Sequence, residues 1–248
     1  MKLGLIGKTL EHSFSKYYFE NKFQALGLDN SHSYKNFELH SIAEFPDLIQ
    51  ANPTLSGLNV TIPFKEEIIP FLDEIRDDAG EIGAVNCINL TNGRLIGYNY
   101  DAQGFLMTLN NQRTSIKNAL ILGTGGASKA VAYALQSVGA RVSKVSRSND
   151  FDLSYDELDE NLLENIQIIV NTTPLGTFPD VDSYPPFPVE LLNEQHFVYD
   201  LIYNPQETKF LKEAKKRGCT TQNGYGMLVN QAELSWKLWN SHFKNSEP

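Results

Sequence analysis

Cysteine is almost absent from this sequence: Cys87 and Cys219 are the only two among 248 residues. They lie far apart and form no metal-type or redox-type spacing. Histidine is sparse too, and the five present (His12, His32, His40, His196 and His242) lack paired ligand spacing, so no metal is expected. Long hydrophobic runs are missing: none approaches the ~20 apolar residues of a membrane span. The apolar start, Met1-Lys2-Leu3-Gly4-Leu5-Ile6-Gly7, is too short for the hydrophobic region of a signal peptide. The cytoplasm is the expected compartment, with no membrane partner. Positive charge is in deficit, with 21 Lys and Arg against 30 Asp and Glu and a net charge of −9. That balance argues against nucleic acid or an anionic membrane as partner, and leaves room only for a local basic pocket. No internal repeat and no low-complexity tract stands out. What is present is 41% hydrophobic and 21% charged residues, a globular composition in a chain long enough for one large core or two small ones.

Periodicity gives the organisation. Residues 3–6, 33–39 and 55–62 read as strands, with helices at 16–26, closed by Gly27, and at 41–51. Residues 85–90 and 94–98, separated by Thr91-Asn92-Gly93, read as a hairpin. Helical spacing at 104–109 suits a link to a second unit. There, continuous apolar runs at 118–122 and 166–171 are strands of the buried parallel type. Further strands are expected at 141–145, 197–202 and 220–221, and helices at 129–138 and 207–216. The four prolines within 179–188 make that stretch a loop. Apolar residues at helical spacing over 226–239 predict a last helix long enough to return to the first unit. Strands alternating with helices point to an α/β fold.

The segment Asn59-Val60-Thr61-Ile62-Pro63-Phe64-Lys65 places a lysine just after a strand. If Pro63 opens a helix, Lys65 faces the positive end of its macrodipole, which costs roughly 0.3–1 kcal/mol. A local rule broken without evident gain marks a candidate functional position. A partly desolvated lysine there is suited to proton exchange, with the Thr61 hydroxyl close by. The bland alternative is a surface lysine screened by Glu66 and Glu67.

Gly123-Thr124-Gly125-Gly126-Ala127-Ser128 directly follows one expected strand and precedes a helix. That context turns a glycine-rich string into a dinucleotide-binding turn, with the pyrophosphate at the helix N-terminus. NAD binders place an acid near the end of the next strand. Here that end reads Ser146-Arg147-Ser148, a planar cation flanked by hydroxyls, which suits the 2′-phosphate of NADP. An ordinary glycine turn and a solvated arginine are the plainer readings of the same residues.

Several segments together resemble the shikimate dehydrogenase family, from Gly7 to Ala232 and in the family's order. They are His12-Ser13-Phe14-Ser15, Thr61 with Lys65, Ala84-Val85-Asn86, Gly97-Tyr98-Asn99-Tyr100-Asp101, Asn171-Thr172-Thr173-Pro174-Leu175-Gly176, Asp200-Leu201-Ile202-Tyr203-Asn204-Pro205 with Thr208, and Gly224-Tyr225-Gly226-Met227-Leu228 with Gln231-Ala232. Lys16, Tyr100 and Thr177 stand where the family more often has proline, threonine and methionine.

The resemblance implies two domains: an N-terminal α/β substrate domain over 1–101, completed by 226–248, and a Rossmann-type, doubly wound parallel-sheet NADP domain over 102–225. It implies NADP-dependent, reversible reduction of 3-dehydroshikimate to shikimate, on the route to chorismate and the aromatic amino acids. Lys65 and Asp101 are then the catalytic residues, although Asp101 also suits the N-cap of the linking helix. Ser13 and Ser15 hold the substrate carboxylate, Asn86 and Gln231 meet the substrate hydroxyls, and Thr61 and Tyr203 also border the substrate. Gly123, Thr124, Gly125, Gly126, Ala127, Ser146, Arg147, Ser148, Thr173, Leu201 and Gly224 line the cofactor. The partner is a small molecule, and the protein a monomer or homodimer. An NAD-linked quinate dehydrogenase would carry an acid near position 146, where this chain has Ser146. A non-catalytic NADP sensor would have no need of Lys65, Asp101, Asn86 and Gln231 together.

Overall fold

The computed structural model describes residues 1–11, 13–109, 116–147 and 152–244, apart from the side chains of 242–244. The chain divides into two compact units, residues 1–100 with 231–248, and residues 101–230.

In the first unit β1 (Lys2–Gly7), β2 (Ser33–Glu38) and β3 (Leu55–Val60) pair in parallel. The hairpin β5 (Cys87–Thr91) and β6 (Arg94–Tyr98) joins β3 antiparallel, and the two-residue β4 (Glu74–Ile75) closes the far edge. The sheet order is β2-β1-β3-β5-β6-β4, mixed rather than all parallel. Positive φ at Asn92 and Gly93 makes the hairpin turn that an Asn-Gly pair favours. One face of the sheet buries Phe19 and Phe23 of α1 (Phe14–Ala25) with Tyr34, Trp236 and Trp239. The other face buries Phe45 and Leu48 of α2 (Phe45–Ala51) with Leu58, Phe64 and Ile68. Trp239 lies over Gly57, where any Cβ would overlap its indole, and its Nε1 donates to Ile88 O at 3.1 Å.

The helix expected to open at Pro63 does not form. Residues 62–68 are hydrogen-bonded turns, followed by a single 3₁₀ turn, Ile69–Phe71. A helix would aim the Lys65 carbonyl at the amide of residue 69. Instead Lys65 O accepts from Val85 N at 2.7 Å, and Ile69 N goes to Glu66 O at 3.2 Å. A cross-chain bond wins over local propensity here, and the dipole argument for Lys65 falls with the helix. The short α3 (Ala79–Ile82), stopped by Gly83 at φ +69°, had no clear sequence signal.

The second unit opens with α4 (Asp101–Thr108). Its sheet contains β7 (Asn118–Leu122), β8 (Arg141–Ser146), β9 (Leu153–Ser154), β10 (Ile168–Asn171), β11 (Phe197–Asp200) and β12 (Thr220–Asn223). All pairings are parallel, in the order β12-β11-β10-β7-β8-β9. Counted within the unit from β9, that is the 3-2-1-4-5-6 order of a doubly wound nucleotide-binding sheet. Between strands run α5 (Gly126–Ser137), the single-turn α6 (Glu160–Leu163) and α7 (Lys209–Lys216). The core packs Leu120, Leu122, Ile169 and Val198 against Phe187, Phe210 and Leu211. The last helix, α8 (Tyr225–Lys244), starts in this unit and from Gln231 onward belongs to the first. Among the described residues no helix is long and apolar enough to cross a membrane.

Candidate active site

The first unit gathers its polar groups where β1 and β3 end. Thr61 N donates to Ile6 O at 2.9 Å and Lys8 N to Ile62 O at 3.3 Å, so the two chains stay paired beyond the sheet. Gly7 is required at this point: a Cβ there would meet Thr61 Cγ2 at 2.6 Å and Leu10 Cδ2 at 2.7 Å. Leu10 is held in turn by Glu38 Oε1 on its amide and Asn36 Nδ2 on its carbonyl.

That loop delivers Ser13 to the start of α1, which begins at Phe14 and not near Lys16 as expected. Ser13 has the extended backbone of an N-cap, yet its side chain accepts no capping hydrogen bond. Its Oγ is buried and, among the described residues, has no hydrogen-bond partner. Leaving a buried hydroxyl unsatisfied costs about 1–3 kcal/mol, a cost that a bound anion would remove. Capping is therefore not what this serine does. Ser15 falls inside the helix, buried, with its hydroxyl against the Tyr34 phenol. Burial, first of all, drives that phenol's pKa well above its usual value. Lys16 is exposed and pairs with Glu20 at 3.9 Å. His12 lies outside the described residues.

Asn86 is 2% exposed and fully engaged on one side. Its amide donates to Tyr98 O at 3.0 Å, its carbonyl accepts from Val60 N at 2.9 Å, and its Oδ1 accepts from Tyr100 N at 2.8 Å. With Oδ1 turned to the Tyr100 amide, Nδ2 is the side chain's remaining donor, the role a substrate hydroxyl needs. The donor that fixes it is the backbone of residue 100, so tyrosine serves there as well as threonine would. The Tyr100 ring stacks on Tyr98 at 5.9 Å. Lys65, half-buried, is tied to the same segment through Val85, and Asn99 Nδ2 closes it on Ala84 O at 2.8 Å.

A residue given no role from sequence joins these parts. Asn59, buried in β3, accepts from Tyr34 Oη at 2.8 Å and donates through Nδ2 to Asn86 O at 3.2 Å and Ser235 Oγ at 3.1 Å. Ser235 Oγ donates to Gln231 O at 2.9 Å. Asn59 thus links Ser15 (through Tyr34), Asn86 and Gln231. Its signal in the sequence was a polar amide in a largely apolar strand.

In the second unit the glycine turn sits where the strand order reverses, between β7 and β10. Gly123 has φ +109°, and a Cβ there would meet Thr172 Oγ1 at 2.7 Å. Gly125 occupies the N-cap of α5 without a side-chain cap, and no acid lies in that helix's first turn. Ser128 Oγ donates back to Gly123 O at 2.8 Å. The first amides of α5, beginning with Gly126 and Ala127, therefore face outward as donors for a phosphate. Thr124 is half-buried in the turn. β8 ends at Ser146 with Arg147 exposed beyond it, near enough to Tyr155 to oppose the rise of that phenol's pKa by burial. Asp152 accepts from Lys144 N at 2.9 Å. Ser148 lies outside the described residues. These features fit an NADP adenosine end: close backbone approach, free helix amides, and a cation with no acid at the end of β8.

Thr173 and Leu201 follow the ends of β10 and β11, and Gly224 follows β12. A Cβ on Gly224 would overlap Leu201 O. Tyr203 is half-buried in the loop after Leu201, and Asp101, 5% exposed, is the first residue of α4. Asp200, quoted in a motif but given no role, proves to be a fully buried carboxyl.

Strand order, parallel pairing and glycine turn define the class: a chain with a Rossmann-type dinucleotide-binding unit and a mixed α/β unit. Comparisons with known proteins narrow it. A family model described as shikimate dehydrogenase substrate binding domain matches residues 5–88. A shikimate dehydrogenase (NADP⁺) of Desulforamulus reducens is 38% identical over 95% of this chain and 88% of its own. Among solved structures, shikimate 5-dehydrogenase of Thermus thermophilus in complex with NADP(H) and shikimate superposes with a TM-score of 0.85 at 32% identity. The match covers 97% of this chain and 94% of that one. Quinate dehydrogenase of Corynebacterium glutamicum in complex with NAD reaches 0.84 at 27% identity, over 97% and 94%. The chain belongs to the shikimate dehydrogenase family.

Proposed function

We propose that this protein catalyses the reversible, NADP-dependent reduction of 3-dehydroshikimate to shikimate, the step on the way to chorismate and the aromatic amino acids. The observation that supports this most is the 38% identity to a shikimate dehydrogenase (NADP⁺) over 95% of the chain. We assign residues 1–101 with 226–248 to the substrate and 102–225 to the cofactor.

NADPH, when bound, supplies the hydride that reduces the C3 carbonyl. The protein's own groups do the rest. The Ser13 hydroxyl, buried and without a partner among the described residues, receives the substrate carboxylate together with Ser15. Thr61, Asn86 through Nδ2, Tyr203 and Gln231 orient the ring hydroxyls, so that a single carbonyl is presented. Lys65 stabilises the charge developing on the carbonyl oxygen and gives it a proton, with Asp101 as the second catalytic group. The first amides of α5 hold the pyrophosphate, and Ser146, Arg147 and Ser148 hold the 2′-phosphate. Thr173, Leu201 and Gly224 border the nicotinamide. The enzyme works as a cytoplasmic monomer or homodimer on a small molecule, without nucleic acid or membrane.

A second reading, quinate oxidation with NAD, follows the Corynebacterium relative. Ser146 and Arg147 favour the first, because a 2′-hydroxyl partner would be an acid. Absorbance at 340 nm separates them, with shikimate and quinate each tried against NADP⁺ and NAD⁺. Turnover of shikimate with NADP⁺ is expected; a preference for quinate with NAD⁺ would reverse the assignment.

A further inference from the structure

Asp200, the last residue of β11, is 0% exposed. It is satisfied by neutral donors. Asn171 Nδ2 donates to Oδ1 at 3.0 Å, Ile202 N to the same oxygen at 3.1 Å, and Thr208 Oγ1 to Oδ2 at 2.7 Å. Burial pushes its carboxyl up to about 6 against the pull of those three bonds. If packing were its whole purpose, an apolar residue would fill the site without that cost.

Two of the three donors, Asn171 and Ile202, reach chain ends assigned above to the nicotinamide, and the third, Thr208, lies against the loop after β10. Asn171 Oδ1 accepts both Thr173 N, at 3.0 Å, and Thr173 Oγ1, at 2.7 Å. Thr173 Oγ1 accepts Leu175 N at 3.3 Å, so the loop after β10 hangs from one amide. Ile202, pinned by its own amide, adjoins Leu201, and its carbonyl accepts Gly224 N at 3.1 Å. Thr208 caps α7 by accepting Leu211 N at 3.3 Å, and a Cβ on Gly176 would stand 3.8 Å from Thr208 Cβ. Phe178 N to Asn204 O, at 3.1 Å, closes the same two loops on each other.

We propose that Asp200 is a positioning residue for the nicotinamide half of the cofactor, setting through Asn171 and Ile202 the places of Thr173, Leu201 and Gly224, with Thr208 bracing the loop after β10 at Gly176. The inference rests on the cofactor reading given above. It differs from a general packing role in what it spares: among the described residues, the adenosine end, held by the turn after β7 and the end of β8, has no hydrogen bond to Asp200.

Asp200→Asn keeps the shape but removes the charge, and its Nδ2 can face only Thr208, whose hydroxyl must then accept instead of donating, so the charge-assisted bond to Oδ2 is lost. The test compares dissociation constants for NADPH and for adenosine 2′,5′-bisphosphate, which lacks the nicotinamide half. Loss of one hydrogen bond to a charged group predicts NADPH binding weakened about 10–100-fold, with the bisphosphate within about twofold of the parent. Thr208→Val should reproduce the pattern more weakly with the acid in place, and Thr208→Ser should restore binding. The Thr208 pair carries the test if Asp200→Asn does not fold. Unchanged NADPH affinity, or equal losses for both ligands, overturns the proposal. A parent protein that binds neither compound overturns the cofactor reading, and this inference with it.

Discussion

Asn59→Ala is expected to damage stability and substrate binding together. The substitution removes three hydrogen bonds, but the groups left behind fare differently. Asn86 O keeps Val60 N, and Ser235 Oγ keeps its bond to Gln231 O. Tyr34 Oη, on a side chain 3% exposed, loses its bond to Asn59 Oδ1 and keeps only the Ser15 hydroxyl. The lost bond costs about 0.5–1.5 kcal/mol, and the space vacated by the amide adds about 1 kcal/mol. The sum, about 1.5–2.5 kcal/mol, should appear in urea titration as a lower midpoint with little change of slope. A double-mutant cycle with Tyr34→Phe isolates the bond itself, at a coupling of about 1 kcal/mol. Because Asn59 fixes Asn86 and Gln231 without being a proposed ligand, the KM for shikimate should rise more than kcat falls. A cost under about 0.5 kcal/mol, the range of ordinary surface changes, would show that Asn59 is not the joint described.

Lys65→Ala should lower kcat about 10²–10⁴-fold, the usual worth of general acid–base help, and near-normal kcat would remove Lys65 from the chemistry. Ser13→Ala should raise the KM for shikimate while leaving the free protein as stable or up to about 1–3 kcal/mol more so, because it deletes a buried unsatisfied hydroxyl; urea melts of the two proteins decide it. Arg147→Ala should weaken NADPH binding about 10–100-fold and NADH binding hardly at all, and equal losses would refute the 2′-phosphate assignment. Asp200 has its pKa raised on folding to about 6, so its proton favours the native state. Its contribution is fully present below the unfolded value near 4 and is lost as pH rises through 6. Parent stability minus that of Asp200→Asn should therefore fall by about 2–3 kcal/mol from pH 4 to pH 7 in paired urea titrations, and a rise would contradict a raised pKa.

What could be read from the sequence was whatever local chemistry decides. The buried strand Asn118–Leu122, the Asn92-Gly93 hairpin and the glycine turn between strand and helix each carry their cause in adjacent residues. The helix expected at Pro63 failed because its cause was distant: Val85 claims the Lys65 carbonyl from twenty positions away, and proline at a first turn says nothing of that. Asn59 and Asp200 escaped for the same reason. A lone amide in an apolar strand and an acid at a strand's end are ambiguous until their partners, Tyr34 and Ser235 in one case and Asn171 and Thr208 in the other, are known. The motif residues were found by resemblance, yet the groups that hold them are the buried polar ones outside the proposed contact set. In both units one such residue serves several site positions at once. Site geometry here depends on a few satisfied buried bonds, and disturbing one of them should move several ligand contacts together rather than singly.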